Sequence, residues 1–406
     1  MSNSQNRDRI AFVCQRYGLE VNGGSEQYCR QIAERLATVY DVTVYTTCAV
    51  DYMTWANQYA PGEETINGVR VKRFRTRRTR NKWRFRLASA WVKKNPWHTG
   101  ASEDRWIDLQ GPECPELIES LKAEHDQYRA VLFMTYLYYT TVRGMALALD
   151  NAIPIPTAHD EPTVYLKCYD AVFSGARGIA WNTPEERAFA LRRFPFVQHT
   201  PGAMTGIGID PPAGALPPLP EALNDDAPYL VYAGRIDRNK GCEEMLEYFR
   251  RYKRERGGAL RLVMMGKAEM PIPDAPDIVH LGYVSDEMKY AVMAGARALT
   301  LFSRFESLSI VVLESMAMGR PVLVTGHSEV LKGHCIRSGA GISFDDYSQF
   351  SQGLDRLIAG GDDYDDMCAR ARKYVMENYQ WDVIVKRYGK LIDAVAEGRK
   401  TGVQED

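Results

Sequence analysis

The sequence has no apolar run near the ~18 residues needed to cross a bilayer. The nearest candidate, Val131 to Val142, is too short and carries three tyrosines. No two cysteines stand in C-x-x-C spacing. Cys14, Cys29, Cys48, Cys114, Cys168, Cys242, Cys335 and Cys368 are scattered, several inside apolar runs. That pattern speaks against a zinc site or a disulfide framework and predicts buried free thiols in a reducing compartment. The first residues, MSNSQNRDR, lack the apolar stretch of a secretory signal. Formal net charge is only −1, so no global field draws the protein to nucleic acid or membrane. These absences predict a cytoplasmic protein, soluble or resting at the inner face of the cytoplasmic membrane.

What is present reads as two α/β domains. At roughly 100–200 residues per domain, 406 residues predict two. Arg9 to Cys14 reads as a buried strand, followed by a loop with Gly18, Gly23 and Gly24. A helix is predicted over Ser25–Ala37 and a strand over Asp41–Thr46. Strands at Ala130–Met134 and Ile153–Thr157, and helices at Gly144–Leu149 and Thr183–Arg192, continue the pattern. From Thr200 to Pro228 seven prolines stop both helix and strand, which predicts a linker. After it, strands at 229–232, 260–265, 278–281, 298–302 and 321–325 alternate with helices at 243–254, 285–294 and 310–318. The stretch 364–396 reads as mostly helical. Such alternation predicts parallel sheets with helices on both faces. The expected division is 1–200, a linker at 201–227, and 228–380, followed by a terminal helix at 381–396.

Two motifs carry chemistry. In FESLSIVVLE, Glu306 and Glu314 stand eight residues apart, the first on a loop after a strand and the second about two turns into a helix. Both carboxylates could face one crevice at the carboxyl end of the sheet, where such folds bind ligands. Backbone N–H groups at the start of that helix, from Ser307, Leu308 and Ser309, suit a phosphate. The plain alternative is a loop glutamate and a solvent-facing helix glutamate. The second motif, Gly234-Arg235-Ile236-Asp237-Arg238-Asn239-Lys240-Gly241, follows a strand and opens a helix. Gly234 permits close backbone approach, Arg235 can grip phosphate bidentately, and Lys240 adds a point charge. Together they could neutralise a diphosphate leaving group without a metal; alone, they would pass for an ordinary surface loop.

GR-x4-KG followed by E-x7-E resembles the retaining glycosyltransferases of family 4, whose fold is GT-B: two Rossmann-like domains with parallel sheets facing a central cleft. Gly208-Ile209-Asp210, VMMG at 263–266, HLGYV at 280–284 and AMGRPVLV at 317–324 are similar to further segments of that family, and Trp381 with the helix after it resembles the family's terminal helix, which returns to the first domain. The resemblance implies transfer of a sugar, with retention, from a UDP- or GDP-linked donor to a hydroxyl of a glycan or lipid-linked acceptor. Its setting would be cell-surface polysaccharide or glycoconjugate synthesis, and no cofactor or metal is called for. It implies that Arg235 and Lys240 hold the diphosphate, Glu306 the donor sugar, Glu314 the ribose, and the backbone near Val284 the base. In the first domain, Gly23 and Gly24 would lie near the diphosphate and His159 near the reacting carbon, with Asp160 and Glu161 as acidic neighbours. One departure stands out: Glu306 is followed by Ser307-Leu308-Ser309, where the family often has glycines.

A last feature concerns the acceptor. From Thr65 to Ser102 there are twelve Lys or Arg and no Asp or Glu, interleaved with Phe74, Trp83, Phe85, Trp91 and Trp97. The segment 70–97 suits an anionic membrane surface or a lipid-diphosphate acceptor. It would also suit nucleic acid, or be a solvated basic loop; beside the donor motifs the lipid reading ranks first, and no nucleic acid is expected. Two rival functions are a sugar-nucleotide epimerase on the same fold and a catalytically silent subunit binding lipid or a partner.

Overall fold

The computed structural model describes residues 7–21 and 23–398. The chain divides into two compact units. One runs to Ile207 and resumes at Ile384; the other is Gly208–Val383. Both are Rossmann-like, as the alternation of strands and helices predicts. Among the described residues no helix is long and apolar enough to cross a membrane.

The first unit opens with β1 (Arg9–Val13), α1 (Gly24–Leu36), β2 (Asp41–Thr47), β3 (Gly62–Ile66) and β4 (Val69–Phe74). It continues through α2 (Lys82–Lys94), α3 (Gly100–Gln110), α4 (Pro115–Glu124), β5 (Ala130–Met134), α5 (Tyr139–Met145) and β6 (Ala152–Ile155). α6 (Asp170–Ser174), β7 (Ile179–Trp181), α7 (Pro184–Arg193) and β8 (Gly202–Met204) complete it. The main sheet has the order β3-β4-β2-β1-β5-β6 and is parallel except at β3. Its central strands, RIAFV and AVLFM, are almost wholly buried, as strands covered on both faces must be. The edge hairpin β3–β4 turns on Asn67-Gly68, both at positive φ, the conformation a two-residue hairpin demands.

The basic stretch opens in β4, with Val69, Val71 and Arg73 turned inward, runs through a loop at 75–81 and continues as α2. Two expectations need correction here. The helix placed at Gly144–Leu149 lies earlier, at Tyr139–Met145, where Gly144 packs against the Phe133 ring with room only for a hydrogen. Within the proline-rich stretch, Gly202–Met204 still forms a strand, paired in parallel with β7 before the prolines crowd in.

The second unit contains β9 (Tyr229–Ala233), α8 (Cys242–Arg256), β10 (Arg261–Met265), β11 (Ile278–Gly282), α9 (Asp286–Gly295), β12 (Ala298–Leu301) and α10 (Ile310–Ala317). Then come β13 (Val322–Thr325), α11 (Glu329–Ser338), β14 (Gly341–Phe344), α12 (Tyr347–Ala359), α13 (Asp362–Asn378) and α14 (Trp381–Ala396). The sheet β11-β10-β9-β12-β13-β14 is parallel throughout. The terminal helical stretch is two helices, broken at Tyr379-Gln380. From Ile384 onward α14 belongs to the first unit, where Leu391 and Val395 pack over Gly178 and leave no space for a side chain. All eight cysteines are unpaired, and six are buried.

The start of the second unit is fixed by its own end. Ile209 N–H donates to the Tyr379 carbonyl at 2.7 Å, and the Trp381 ring lies where a Cβ on Gly208 would be. Gly208→Ala should therefore destabilise the second unit by about 1–3 kcal/mol through overpacking. Denaturant unfolding followed by tryptophan fluorescence checks this; an unchanged midpoint would contradict the packing argument.

Candidate functional site

The Gly234–Gly241 loop leaves the carboxyl end of β9. Gly234 and Gly266 have φ of 148° and 129°, and the Gly234 carbonyl occupies the space of any side chain on Gly266. Ile236 N–H donates to the Lys267 carbonyl, and Glu269 N–H to the Ile236 carbonyl, both at 2.9 Å, so this loop and the one after β10 are laced together. Asp237, which the sequence reading did not single out, organises the interior. It is buried, takes the Lys240 amide at 2.9 Å through Oδ1, and takes the Arg235 Nε through Oδ2. Its signal in the sequence was an aspartate in a turn, where such side chains bond nearby backbone amides. Gly241 closes the loop at φ 70°, against the Phe302 carbonyl at the end of β12.

That contact brings the two sequence motifs together. Lys240 Nζ donates to Glu306 Oε1 at 2.8 Å, with the lysine 36% and the glutamate 13% exposed. A partly exposed ion pair is worth roughly 0–1 kcal/mol, weak enough for a ligand carrying several anionic oxygens to take the lysine. Arg235 has Asp237 and, at 3.9 Å, Glu269 for company and remains 44% exposed.

Beyond Glu306 the chain tightens. Leu308 is buried, and Ser309 adopts φ 60°, ψ 68° as the residue preceding α10. A left-handed serine costs roughly 1–2 kcal/mol, so something must hold it. The tether is His334 on α11, whose Nε2 lies 2.8 Å from the Leu308 carbonyl and Nδ1 3.0 Å from the Tyr374 hydroxyl. A carbonyl only accepts, so Nε2 carries the hydrogen, Nδ1 accepts from Tyr374, and the ring is neutral. Full burial, reinforced by the nearby Arg337 charge, pushes the His334 pKa down to about 4. The Ser309 hydroxyl is buried and has no hydrogen-bond partner among the described residues. It stands at the amide end of α10, the natural seat of an anionic oxygen. A lone histidine in a helix reads as core, and the sequence held no signal for this tether.

Glu314 lies about one turn into α10, not two, because the helix starts only at Ile310. Lys289 on α9 donates to Glu314 Oε1 at 2.7 Å and to Asp286 at 2.9 Å. Burial raises the Glu314 pKa against the pull of Lys289. For Lys289, burial opposes the charge, but Glu314 and Asp286 outweigh it and the pKa rises. Lys289 was not foreseen, since 25 residues separate it from Glu314. The helical-spacing argument for a common face does not apply, as Glu306 precedes the helix. Val284 follows β11 and is half-buried, next to the exposed Tyr283.

The remaining candidates belong to the first unit. Gly23 precedes α1 at φ 155°, and the Glu26 carboxylate fills the space beside it; Gly24 has no neighbour a side chain would strike. Glu26 is buried and bound to Arg16 at 2.8 Å, so this helix start already holds a carboxylate of the chain itself. His159 follows β6 with its Nε2 3.7 Å from Glu161 Oε1, an oxygen that also accepts the Tyr136 hydroxyl. Asp160 accepts from the Tyr165 hydroxyl at 2.8 Å. The loop is pinned by buried Glu186, which accepts from Ala158 N–H and Asn182 N–H at 2.6 Å each and whose pKa burial pushes up to about 8. Just before it, Thr157 and Thr135, at the ends of neighbouring strands, both have positive φ and share a 3.0 Å hydroxyl hydrogen bond.

Comparison with known proteins bears on the fold. Residues 227–360 match the family model of glycosyl transferases group 1. An uncharacterized glycosyltransferase of Methanocaldococcus jannaschii is 27% identical over 176 residues, 40% of this chain and 44% of that protein. The chain thus matches less than half the length of that relative. Sucrose-phosphate synthase of Thermosynechococcus elongatus superposes with a TM-score of 0.69 at 17% identity, over 96% of this chain and 99% of its own. An Anabaena protein crystallised with UDP and glucose gives 0.65 at 11% identity, over 96% and 100%. At such identities the likeness is one of fold, and the fold is GT-B.

The His334 tether makes a pH prediction. Unfolded, the imidazole takes up a proton near pH 6.5; folded, only near 4. Between these values unfolding binds a proton, so stability falls as pH falls through the window and levels below it. The loss should reach about 2 kcal/mol between pH 7 and pH 5. Urea midpoints of wild type and His334→Gln at several pH values measure it; an equal slope in both would exclude His334 as the source.

Proposed function

We propose that this protein is a glycosyltransferase that moves a sugar from a nucleoside-diphosphate donor, UDP- or GDP-linked, to a hydroxyl of a glycan or lipid-linked acceptor. The observation that carries the reading is the Lys240–Glu306 pair, made where the loops after β9 and β12 meet. In it a diphosphate-seeking cation and a hydroxyl-seeking carboxylate occupy one point. When donor phosphate takes Lys240, the Glu306 carboxylate is released to accept hydrogen bonds from sugar hydroxyls. Arg235 adds a second cation, and the amides at the start of α10, with the Ser309 hydroxyl, add neutral donors. Charge developing on the departing diphosphate would be met by groups already in place, which lowers the barrier more than equal contacts to the ground state would. Glu314, steadied by Lys289, suits the ribose hydroxyls. The matched family segment, 227–360, contains all of these residues.

In this reading the second unit holds the donor and the first serves the acceptor. No proton-transfer group of this chain is required if a leaving-phosphate oxygen takes the acceptor proton, the route that leads to retention. A product of cell-surface polysaccharide or glycoconjugate type fits such an acceptor.

Sugar nucleotides should raise the thermal midpoint by mass action, and the active one should be turned over. Arg235→Ala and Glu306→Ala should each lower kcat/KM by about a hundredfold. Lys240→Ala should lose donor-induced stabilisation as well as rate. Near-normal donor turnover in Arg235→Ala or Glu306→Ala would sink the assignment.

A further inference from the structure

The helix α2 has two apolar faces. Its inner face is committed to the fold: Val92 is buried, Phe85 stacks on Trp106 with ring centroids 6.1 Å apart, and the Trp106 indole donates to Ser89 at 2.9 Å. The opposite face carries Trp83, Leu87 and Trp91, four residues apart and 70%, 52% and 57% exposed. At 3.6 residues per turn these three form one stripe along the helix, turned away from the core. Trp97, just beyond the helix, is 85% exposed. The cations Lys82, Arg84, Arg86, Lys93 and Lys94 are all exposed, and the helix has no acidic residue. No ion pair to any of the five is present among the described residues. By contrast, basic residues nearer the sheet are already matched: Lys72 by Glu124, Arg73 by Glu64, and Arg78 by Glu113.

We infer that α2 is a membrane-surface helix, which lies flat on an anionic bilayer with Trp83, Leu87 and Trp91 in the headgroup–acyl boundary and the flanking cations on lipid phosphates. The arrangement decides among occupants. Lys82, Arg86 and Lys93 border the apolar line on one side and Arg84 on the other, with Lys94 at its end, an order that suits an interface of apolar depth and anionic rim. A nucleic-acid backbone would want the cations at the centre of the face. A second copy of the chain would set five unmatched cations against five more. Indole rings favour the bilayer boundary, and each basic residue near an anionic surface adds to binding. The inference is independent of the proposed reaction, since it concerns where the protein rests.

Co-sedimentation of the full chain with vesicles tests it, using phosphatidylcholine alone and phosphatidylcholine with phosphatidylglycerol. Binding is expected only with the anionic lipid, weakening as salt rises. The double variants Trp83→Ser/Trp91→Ser and Lys93→Gln/Lys94→Gln change exposed side chains, so the fold should persist, with thermal midpoints as the check. Each should lower the partition coefficient about tenfold or more. Absence of binding to anionic vesicles would overturn the inference, as would binding insensitive to both variants. So would a tryptophan-dependent dimer, or capture of single-stranded DNA, in place of vesicle binding.

Discussion

The second unit depends on backbone touching backbone at the carboxyl edge of its sheet. The Gly234 carbonyl lies against Gly266, and the Phe302 carbonyl against Gly241, at distances no side chain tolerates. These approaches let three loops converge on one spot, and only then can Lys240 reach Glu306 across 66 residues of sequence. Any Cβ at Gly241 or Gly266 would push the loops apart before touching a ligand. The glycines at this edge act as spacers of zero width, and the charged groups are placed by them.

Given that convergence, the charges explain themselves. Cations gathered to meet a diphosphate would repel one another in its absence unless carboxylates stood among them. Asp237 and Glu269 attend Arg235, Glu306 attends Lys240, and Glu314 and Asp286 attend Lys289. The pairs differ in burial, and so in the ease with which they can be broken. Lys240 is more than a third exposed, so water already screens its pair. Lys289 and Glu314 are 18% and 13% exposed, and breaking that pair would strand a poorly solvated charge. The first is suited to exchange partners with a ligand; the second is suited to stay closed and hold Glu314 in place.

Much of this was legible in the sequence because parallel strands buried on both faces announce themselves as short apolar runs. Tyr229–Ala233, Ala298–Leu301 and Val322–Thr325 are of that kind. The loops that follow them carry the charged motifs, so motif and position read together. Between Gly62 and Glu124 the signal fails. In β4 an inward arginine, Arg73, breaks the alternation of polar and apolar; in α2 apolar residues occupy two opposite faces, so no single stripe appears. The site residues that were missed have other causes. Lys289 and His334 act on groups their own neighbours in sequence do not reveal, and only tertiary structure brings them to Glu314 and Leu308, whereas Asp237 is local to Arg235 and hidden only by looking like any turn aspartate.

His334 also ties the α10 loop to a distant part of the same unit. From the Leu308 carbonyl the path runs through the imidazole to the Tyr374 hydroxyl, then to the Tyr379 hydroxyl at 3.2 Å. The Tyr379 carbonyl in turn accepts the amide of Ile209, the second residue of the unit. The left-handed Ser309 is thus held by a chain of hydrogen bonds whose other end lies where the polypeptide passes into the unit from Ile207 and out again toward Ile384. A strained residue persists only where its surroundings over-determine it. Here the surroundings include the two points at which the unit is joined to the rest of the chain. The single hydrogen of the neutral imidazole is committed to the Leu308 carbonyl, which fixes the loop end of this chain of hydrogen bonds.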